Sequence, residues 1–259
     1  GGTLGSAQFI PQEDKNKYLI NSIMEESIAS SQLEGASTTR KVAKEMLRTA
    51  RKPRNKSEKM ILNNYSTSKM IKELKIKKLT PEFILEIHKS IAKGTLDDKK
   101  YEGKFRDCDD IMVVDNITGD IAYNPPKHEL IPELIQKICN FVNEPSSHFI
   151  HPIIKASILH FLIGYVHPFV DGNGRTARSL FYWYLIKEGY WIIEFMSISR
   201  IIIKSPSQYA RAYLYTETDE NDLTYFLKYQ IKTIDIALRD VKSYISRKMK
   251  EKEILFKII

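Results

Sequence analysis

Apolar residues return at spacings of three and four along almost the whole chain, and that pattern restricts it to a mostly α-helical architecture. Leu19, Ile20, Ile23, Met24 and Ile28 form one such stripe over about 14–34, with Gly35 where a helix end favours a left-handed residue. A short candidate helix at 41–50 is followed by a second stripe, Met60, Ile61, Tyr65, Met70, Ile71 and Leu74, over 57–74. Thr80-Pro81-Glu82 reads as a helix start: a hydroxyl N-cap, proline at the first helical position, then an acid in the first turn. Gly94 marks its end. Further helices are expected over 129–143, 152–165 and 176–187, after Pro206, and from Leu223 onward. In the last, Leu227, Ile231, Ile234, Leu238, Val241 and Ile245 form a short heptad seam. It serves packing within the bundle; a homodimer seam is the alternative.

One stretch departs from this period. Ile111-Met112-Val113-Val114, a polar turn over 115–120, and Ile121-Ala122-Tyr123 predict a small β-hairpin, stopped by Pro125-Pro126. A lone two-stranded hairpin is marginal in water, so it has to lean on the helices. The boundaries read as an N-terminal helical region at 1–78, a core at 79–203 and C-terminal helices at 204–259.

With 259 residues the chain can bury a real core, and 42% hydrophobic with 28% charged residues excludes wholesale disorder. Two cysteines, Cys108 and Cys139, cannot build a disulfide scaffold or a four-thiolate zinc site. No uncharged apolar run nears the roughly 18 residues that span a bilayer, and no charged-then-apolar leader opens the chain. A cytoplasmic protein without membrane attachment is the expectation. His148, His151 and His160 look zinc-like in composition only, since no cysteine lies near them and a helix start at Pro152 separates them. Nearly all of the net charge of +8 sits between Arg40 and Lys59, which hold nine basic residues and two acidic ones. Such a run is either a solvated helix end or a patch for nucleic acid. No aromatic interleaves it, so base stacking is not indicated.

The chemistry concentrates in His167-Pro168-Phe169-Val170-Asp171-Gly172-Asn173-Gly174-Arg175-Thr176-Ala177-Arg178. Two glycines around Asn173 allow a tight turn whose amides face inward as an anion nest, and the following helix adds its positive end. Arg175 and Arg178 are three residues apart, on one helical face, suited to phosphate oxygens. Asp171 is a hard carboxylate beside them, suited to Mg²⁺. His167 has the near-neutral pKa of a general base. The pattern differs from a Walker loop and from a dinucleotide fingerprint, which follows a strand.

This stretch resembles the signature of the Fic family, His-x-Phe-x-(Asp/Glu)-Gly-Asn-Gly-Arg-x-x-Arg, in full, and the likeness extends over about 79–200. The resemblance implies a Fic-type helical bundle with one short β-hairpin flap, and AMP transfer from ATP to a Ser, Thr or Tyr hydroxyl of a target protein, self-modification included. It implies His167 as the base, Asp171 as the Mg²⁺ ligand, and Gly172, Asn173, Gly174, Arg175, Thr176 and Arg178 as nucleotide-binding residues. Lys204 and Tyr209 fall where the family often lines the nucleotide pocket. Ile111, Met112, Val113, Ile121 and Tyr123 would form the target-docking flap.

Upstream, Ser30-Ser31-Gln32-Leu33-Glu34-Gly35 places Ser30 and Glu34 one helical turn apart. A glutamate at a helix C-terminus opposes the macrodipole, which hints at an external partner. The segment resembles the Fic inhibitory motif, (Ser/Thr)-x-x-x-Glu-(Gly/Asn), of the class II subgroup in which the inhibitory helix precedes the core. Ser30, Glu34 and Gly35 are thus expected to be inhibitory, with Glu34 on Arg178 in the space of the γ-phosphate. Two rivals stay open: removal of AMP from modified proteins by the same site, and a nucleotide- or DNA-binding regulator acting through the 40–59 stretch or a missing C-terminal domain.

Overall fold

The computed structural model describes residues 12–111, 113–114, 121–145 and 147–258. Helices dominate: α1 Gln12–Leu33, α2 Arg40–Thr49, α3 Lys56–Glu73, α4 Pro81–Ala92, α5 Ile131–Asn143, α6 Pro152–Val166, α7 Asn173–Lys187, α8 Ile198–Ile202, α9 Pro206–Thr218 and α10 Thr224–Ile258. The hairpin expected at 111–123 is reduced to two short strands, β1 (Val113–Val114) and β2 (Ile121–Tyr123), paired antiparallel with an irregular register. Met112 and the connecting turn lie outside the described residues.

Local chemistry sets the ends. The hydroxyl of Thr80 caps α4 by accepting from the Phe83 N–H, with Pro81 at the first helical position. The Asn55 side chain does the same for α3, accepting from Glu58 N–H. Helix α7 starts at Asn173, three residues earlier than the apolar pattern suggests, because only Gly172 adopts a left-handed φ (+88°) while Gly174 is already helical.

α7 is buried on every side, with Ala177, Leu180, Phe181 and Trp183 all solvent-free, so it forms the axis of the bundle. α6 packs along it as the other arm of a helical hairpin, and α4, α5 and α10 complete the main core around Ile84, Ile87, Ile135, Leu159 and Ile163. In α10 the described buried positions are Phe226, Gln230, Thr233, Ala237 and Ile245: the first four lie one residue ahead of the heptad seam, whose Ile231 is exposed, while Ile245 belongs to the seam. Two of those first four are polar, so a purely apolar pattern misses the stripe there and meets the buried face at Ile245.

α1 also differs from the amphipathic helix its stripe suggests. Ile20 is exposed, while every residue from Met24 to Ser31 is buried, glutamates and serines included. Met24 and Ile28 pack with Ala43, Met46 and Ile61 of α2 and α3. On the opposite side Glu26 accepts from the hydroxyls of Tyr182 (3.0 Å), Ser197 (2.8 Å) and Ser199 (2.5 Å) and from the Ser199 N–H (3.1 Å). Buried polar groups are tolerated only when hydrogen-bonded, and Glu26 meets that condition fully.

The basic stretch is partly paired: four of its nine basic residues make ion pairs, while Lys41, Arg48, Lys52 and Arg54 are exposed. Arg40 and Lys44 pair with Glu25 of α1, Arg51 with Glu58 and Lys56 with Asp97. The Arg51 fork and the Arg54 N–H hold the Glu58 carboxyl down at about 2. The two pairs on Glu25 fasten α1 to α2, and the Arg51–Glu58 pair closes the corner between α2 and α3. Replacing Glu26 by Ala removes an acceptor of four hydrogen bonds and should lower unfolding free energy by about 2–3 kcal/mol in urea titrations, with Glu26→Gln losing less.

Candidate active site

The loop between α6 and α7 is stapled before any ligand arrives. The Asn173 amide accepts from the Phe169 N–H (2.9 Å) and donates to the Phe169 carbonyl (2.7 Å), closing the turn on itself. Its side chain is therefore spent on the loop, which leaves its backbone N–H as the group available to an anion. With Gly174 and Arg175 it supplies the first-turn amides of α7, which have no intrahelical acceptor.

His167 caps α6 in a left-handed conformation (φ +47°, ψ +56°). Its Nδ1–H donates to the Gly164 carbonyl at 3.1 Å, which leaves Nε2 unprotonated. Burial is the largest influence on the ring and lowers its pKa, against the opposing pull of that hydrogen bond and of the Glu34 charge. His167, Asp171 and Gly172–Gly174 line one polar cavity of about 260 Å³, together with Glu34, Asp110, Ile111 and Val170.

The two arginines are treated differently. Arg175 is wholly buried, and its Nη2 reaches Asp171 Oδ1 at 3.2 Å, while its Nε and Nη1 have no partner. Arg178 is equally buried but satisfied: Nε donates to Ser30 Oγ (2.9 Å), and Nη2 to the Ser30 carbonyl (3.0 Å) and Glu34 Oε1 (2.8 Å). The guanidinium thus takes one oxygen of Glu34 rather than both, sharing its remaining donors with Ser30. Gly35 follows with φ +88° and turns the chain away from α7. A side chain on Gly174 would strike the Glu34 carboxylate and come within 3.0 Å of Arg178 Nη1, so glycine there admits the ion pair.

Not every expected residue reaches this place. Lys204 is on the surface with its ammonium 3.9 Å from Asp240. Tyr209 does not line the cavity. Its hydroxyl meets His160 Nε2 at 2.9 Å in an aromatic cluster with Tyr213 and Tyr229, and burial raises its pKa. Thr176 is buried one turn into α7 with its hydroxyl unpartnered. Of the flap residues, Ile111 lines the cavity, and Tyr123 stacks obliquely on Tyr165 at 5.2 Å. The three histidines of zinc-like composition are dispersed: His151 caps α6 and His160 is locked between Tyr209 and Gln230, and no metal-type cluster occurs among the described residues.

Two residues with no local sequence signal support the loop. His88 stacks on Phe169 (3.7 Å, 4° between planes), accepts from the Gly103 N–H at Nδ1 and so donates from Nε2 to the Asp171 carbonyl at 2.9 Å. Burial holds it near 4, hence neutral. Arg106 reaches the His167 carbonyl at 3.0 Å.

Comparison with known proteins places this site in context. Residues 78–185 match the Fic/DOC family. "Protein adenylyltransferase Fic" of Drosophila grimshawi is 30% identical over 126 residues, 49% of this chain and 23% of that relative. "Protein adenylyltransferase fic-1" of Caenorhabditis elegans is 38% identical over 68 residues, 26% of this chain and 13% of the relative. The chain therefore spans about a quarter or less of these relatives. A Fic family protein from Desulfovibrio desulfuricans superposes with a TM-score of 0.75 at 18% identity, over 93% of this chain and 70% of its own. A Fic domain containing signaling protein from Bacteroides thetaiotaomicron gives 0.71 at 24% identity, covering 90% and 93%. Both likenesses establish the helical fold.

The contact at Gly174 has a thermodynamic signature. Gly174→Ala should cost about 1–2 kcal/mol in the wild-type background by crowding Glu34. In a Glu34→Ala background the same change should be neutral or stabilising, since Ala exceeds Gly in a helix by roughly 0.5–1 kcal/mol. A double-mutant cycle in urea reads the difference.

Proposed function

We propose that this chain, whose residues 78–185 match the Fic/DOC family, is a protein adenylyltransferase, moving AMP from ATP to a hydroxyl side chain of a target protein and restrained by its own Glu34. The observation that carries this reading is the polar cavity in which the free Nε2 edge of His167, the Asp171 carboxylate, the first-turn amides of α7 and the Glu34 carboxylate come together.

The phosphates of ATP would lie over the Asn173, Gly174 and Arg175 amides, with the two unpartnered N–H groups of Arg175 supplying charge-assisted donors. His167 takes the proton of the acceptor hydroxyl as that oxygen attacks the α-phosphorus. The bond from the α-phosphorus to the bridging oxygen breaks, pyrophosphate leaves, and AMP remains esterified to the target. Positioning and charge neutralisation supply most of the acceleration in such transfers. Asp171 is half-exposed toward the cavity and stands without the further ligands of a self-sufficient metal cage. That donor set fits Mg²⁺, which is bound through one carboxylate with nucleotide phosphates and water completing its shell. When bound, the ion would neutralise charge on the phosphates. Ile111, Val113, Ile121 and Tyr123 would receive the target segment by strand addition.

Restraint follows from the occupancy of Arg178. While Glu34 and Ser30 hold its donors, they are closed to a γ-phosphate, and a pose displaced by about 1 Å can cost roughly 10²-fold. The rival reading has Glu34 direct a water at an AMP ester, since it shares the cavity with His167.

With labelled ATP and Mg²⁺, Glu34→Gly is expected to raise AMP incorporation into itself and into acceptors by about tenfold or more. A rate at or below wild type towards every acceptor refutes restraint and promotes the AMP-removing role. His167→Ala in the Glu34→Gly background should lose roughly 10²–10⁴-fold while binding ATP normally. The lowered pKa of His167 also fixes a pH profile. A base held neutral by burial stays competent at more acidic pH, so the acid limb of transfer in Glu34→Gly should fall below pH 6.5. A limb above that value in a pH–rate series contradicts His167 as the titrating base.

A further inference from the structure

Three segments, around 106–109, Pro126 and His167, meet on one side chain that the reaction scheme does not use. Arg106 is buried, with 1% of its side chain exposed. Its Nε donates to the His167 carbonyl at 3.0 Å. Its Nη1 donates to the Cys108 carbonyl at 2.7 Å and to Asp109 Oδ1 at 3.0 Å, and its Nη2 donates to the Pro126 carbonyl. Its backbone N–H donates to the Pro168 carbonyl at 2.9 Å. Asp109 extends the junction by accepting from the His128 N–H at 2.7 Å.

One guanidinium therefore joins the residues that enter the strand pair, the residue that leaves it, and the peptide that carries the general base. The last of these needs holding. His167 has a left-handed backbone, which costs a non-glycine residue free energy and persists only when its surroundings over-determine it. Its N–H is fixed on the Ile163 carbonyl and its own carbonyl on Arg106. A planar fork with five donors can bridge such divergent acceptors at once, whereas the ammonium of a lysine is a point donor that satisfies one neighbourhood.

We propose that Arg106 is the positioning residue that keeps the target-docking strands in register with His167, an inference that rests on the adenylyltransferase reading above. A hydroxyl presented by a segment lying along β1 and β2 reaches His167 correctly only if strands and base are fixed to each other. Water reaches the base without being docked. Loss of the fork therefore shifts the fate of AMP from attachment to protein towards release into water, and does so without weakening ATP binding, because no phosphate-facing group is touched.

The test compares R106K with its parent in the E34G background, using ATP labelled at the α-phosphate, Mg²⁺ and self-modification as the transfer reaction. The ratio of protein-bound AMP to free AMP should fall about tenfold or more in R106K, with ATP affinity by calorimetry within about twofold. Hydrogen exchange on the same proteins should show faster exchange at 108–111 and 123–128, with α4 and α6 unchanged. R106Q, which retains two donors, repeats the comparison should the lysine variant lose its cooperative melt. An unchanged product ratio overturns the proposal even if exchange accelerates. Exchange that accelerates across the whole bundle overturns it too, since Arg106 is then only a packing residue. Should the E34G parent make neither product, the adenylyltransferase reading fails on its own account, and unchanged exchange at 108–111 and 123–128 separately removes the clamp.

Discussion

The charge of Arg178 has no water to dissolve in, and much of the architecture answers to that fact. Burial by itself disfavours a guanidinium ion, yet the Glu34 carboxylate overcomes this and keeps Arg178 more firmly protonated than an ordinary arginine. Ser30, in the last turn of α1, and Glu34, just past its end, are the groups that hold it. α1 has to lie against α7 for the arginine to be tolerable inside the bundle. The requirement runs through Glu26, whose hydrogen bonds to Tyr182, Ser197 and Ser199 join α1 to α7 and α8 four residues before Ser30.

Arg175 makes the useful contrast. It is no more exposed than Arg178, but one weak contact to Asp171 is its whole ion-pairing, and two of its nitrogen atoms face no acceptor. A buried donor without a partner is expensive, which makes an anion at this point unusually favourable. Under the proposed function the site thus carries one cation already satisfied from within and one awaiting phosphate. Binding and restraint are divided between two arginines one turn apart.

The sequence made local chemistry legible and left long-range support hidden. His167, Asp171 and the two arginines fall within twelve residues, so their association is written in the spacing itself. Ser30 and Glu34 were legible through a second short pattern, with Glu34 expected on Arg178; that Ser30 shares the same guanidinium was not. Arg106 and His88 act across 61 and 83 residues through single side chains to backbone carbonyls, and no periodicity marks such contacts. Tyr209 was foreseen only in part: it lies beside Arg178, but its hydroxyl meets a buried histidine on α6 and it does not line the cavity. In α10 the buried Gln230 and Thr233 broke the rule that inward positions are apolar. The early start of α7 depended on which of two glycines takes the left-handed turn, and Gly172 alone does.

How α1 is seated also limits how the proposed restraint could be lifted. An amphipathic helix resting on a surface could detach as a unit, but Met24 to Ser31 are buried on all sides. Detachment would expose Met24 and Ile28 and strip Glu26 of its donors, a cost of several kcal/mol by ordinary burial and hydrogen-bond values. The Glu34 side chain is under no such constraint. Glu34 is past the end of α1 with a quarter of its side chain exposed, and Gly35 beside it is exposed with nothing within 4 Å of where a Cβ would stand. The Glu34 backbone stays tied to the Ser31 carbonyl, and its side chain holds one oxygen on Arg178, a contact that γ-phosphate chemistry can replace in kind. Relief at the Glu34–Gly35 turn, with α1 still embedded, is the inexpensive route.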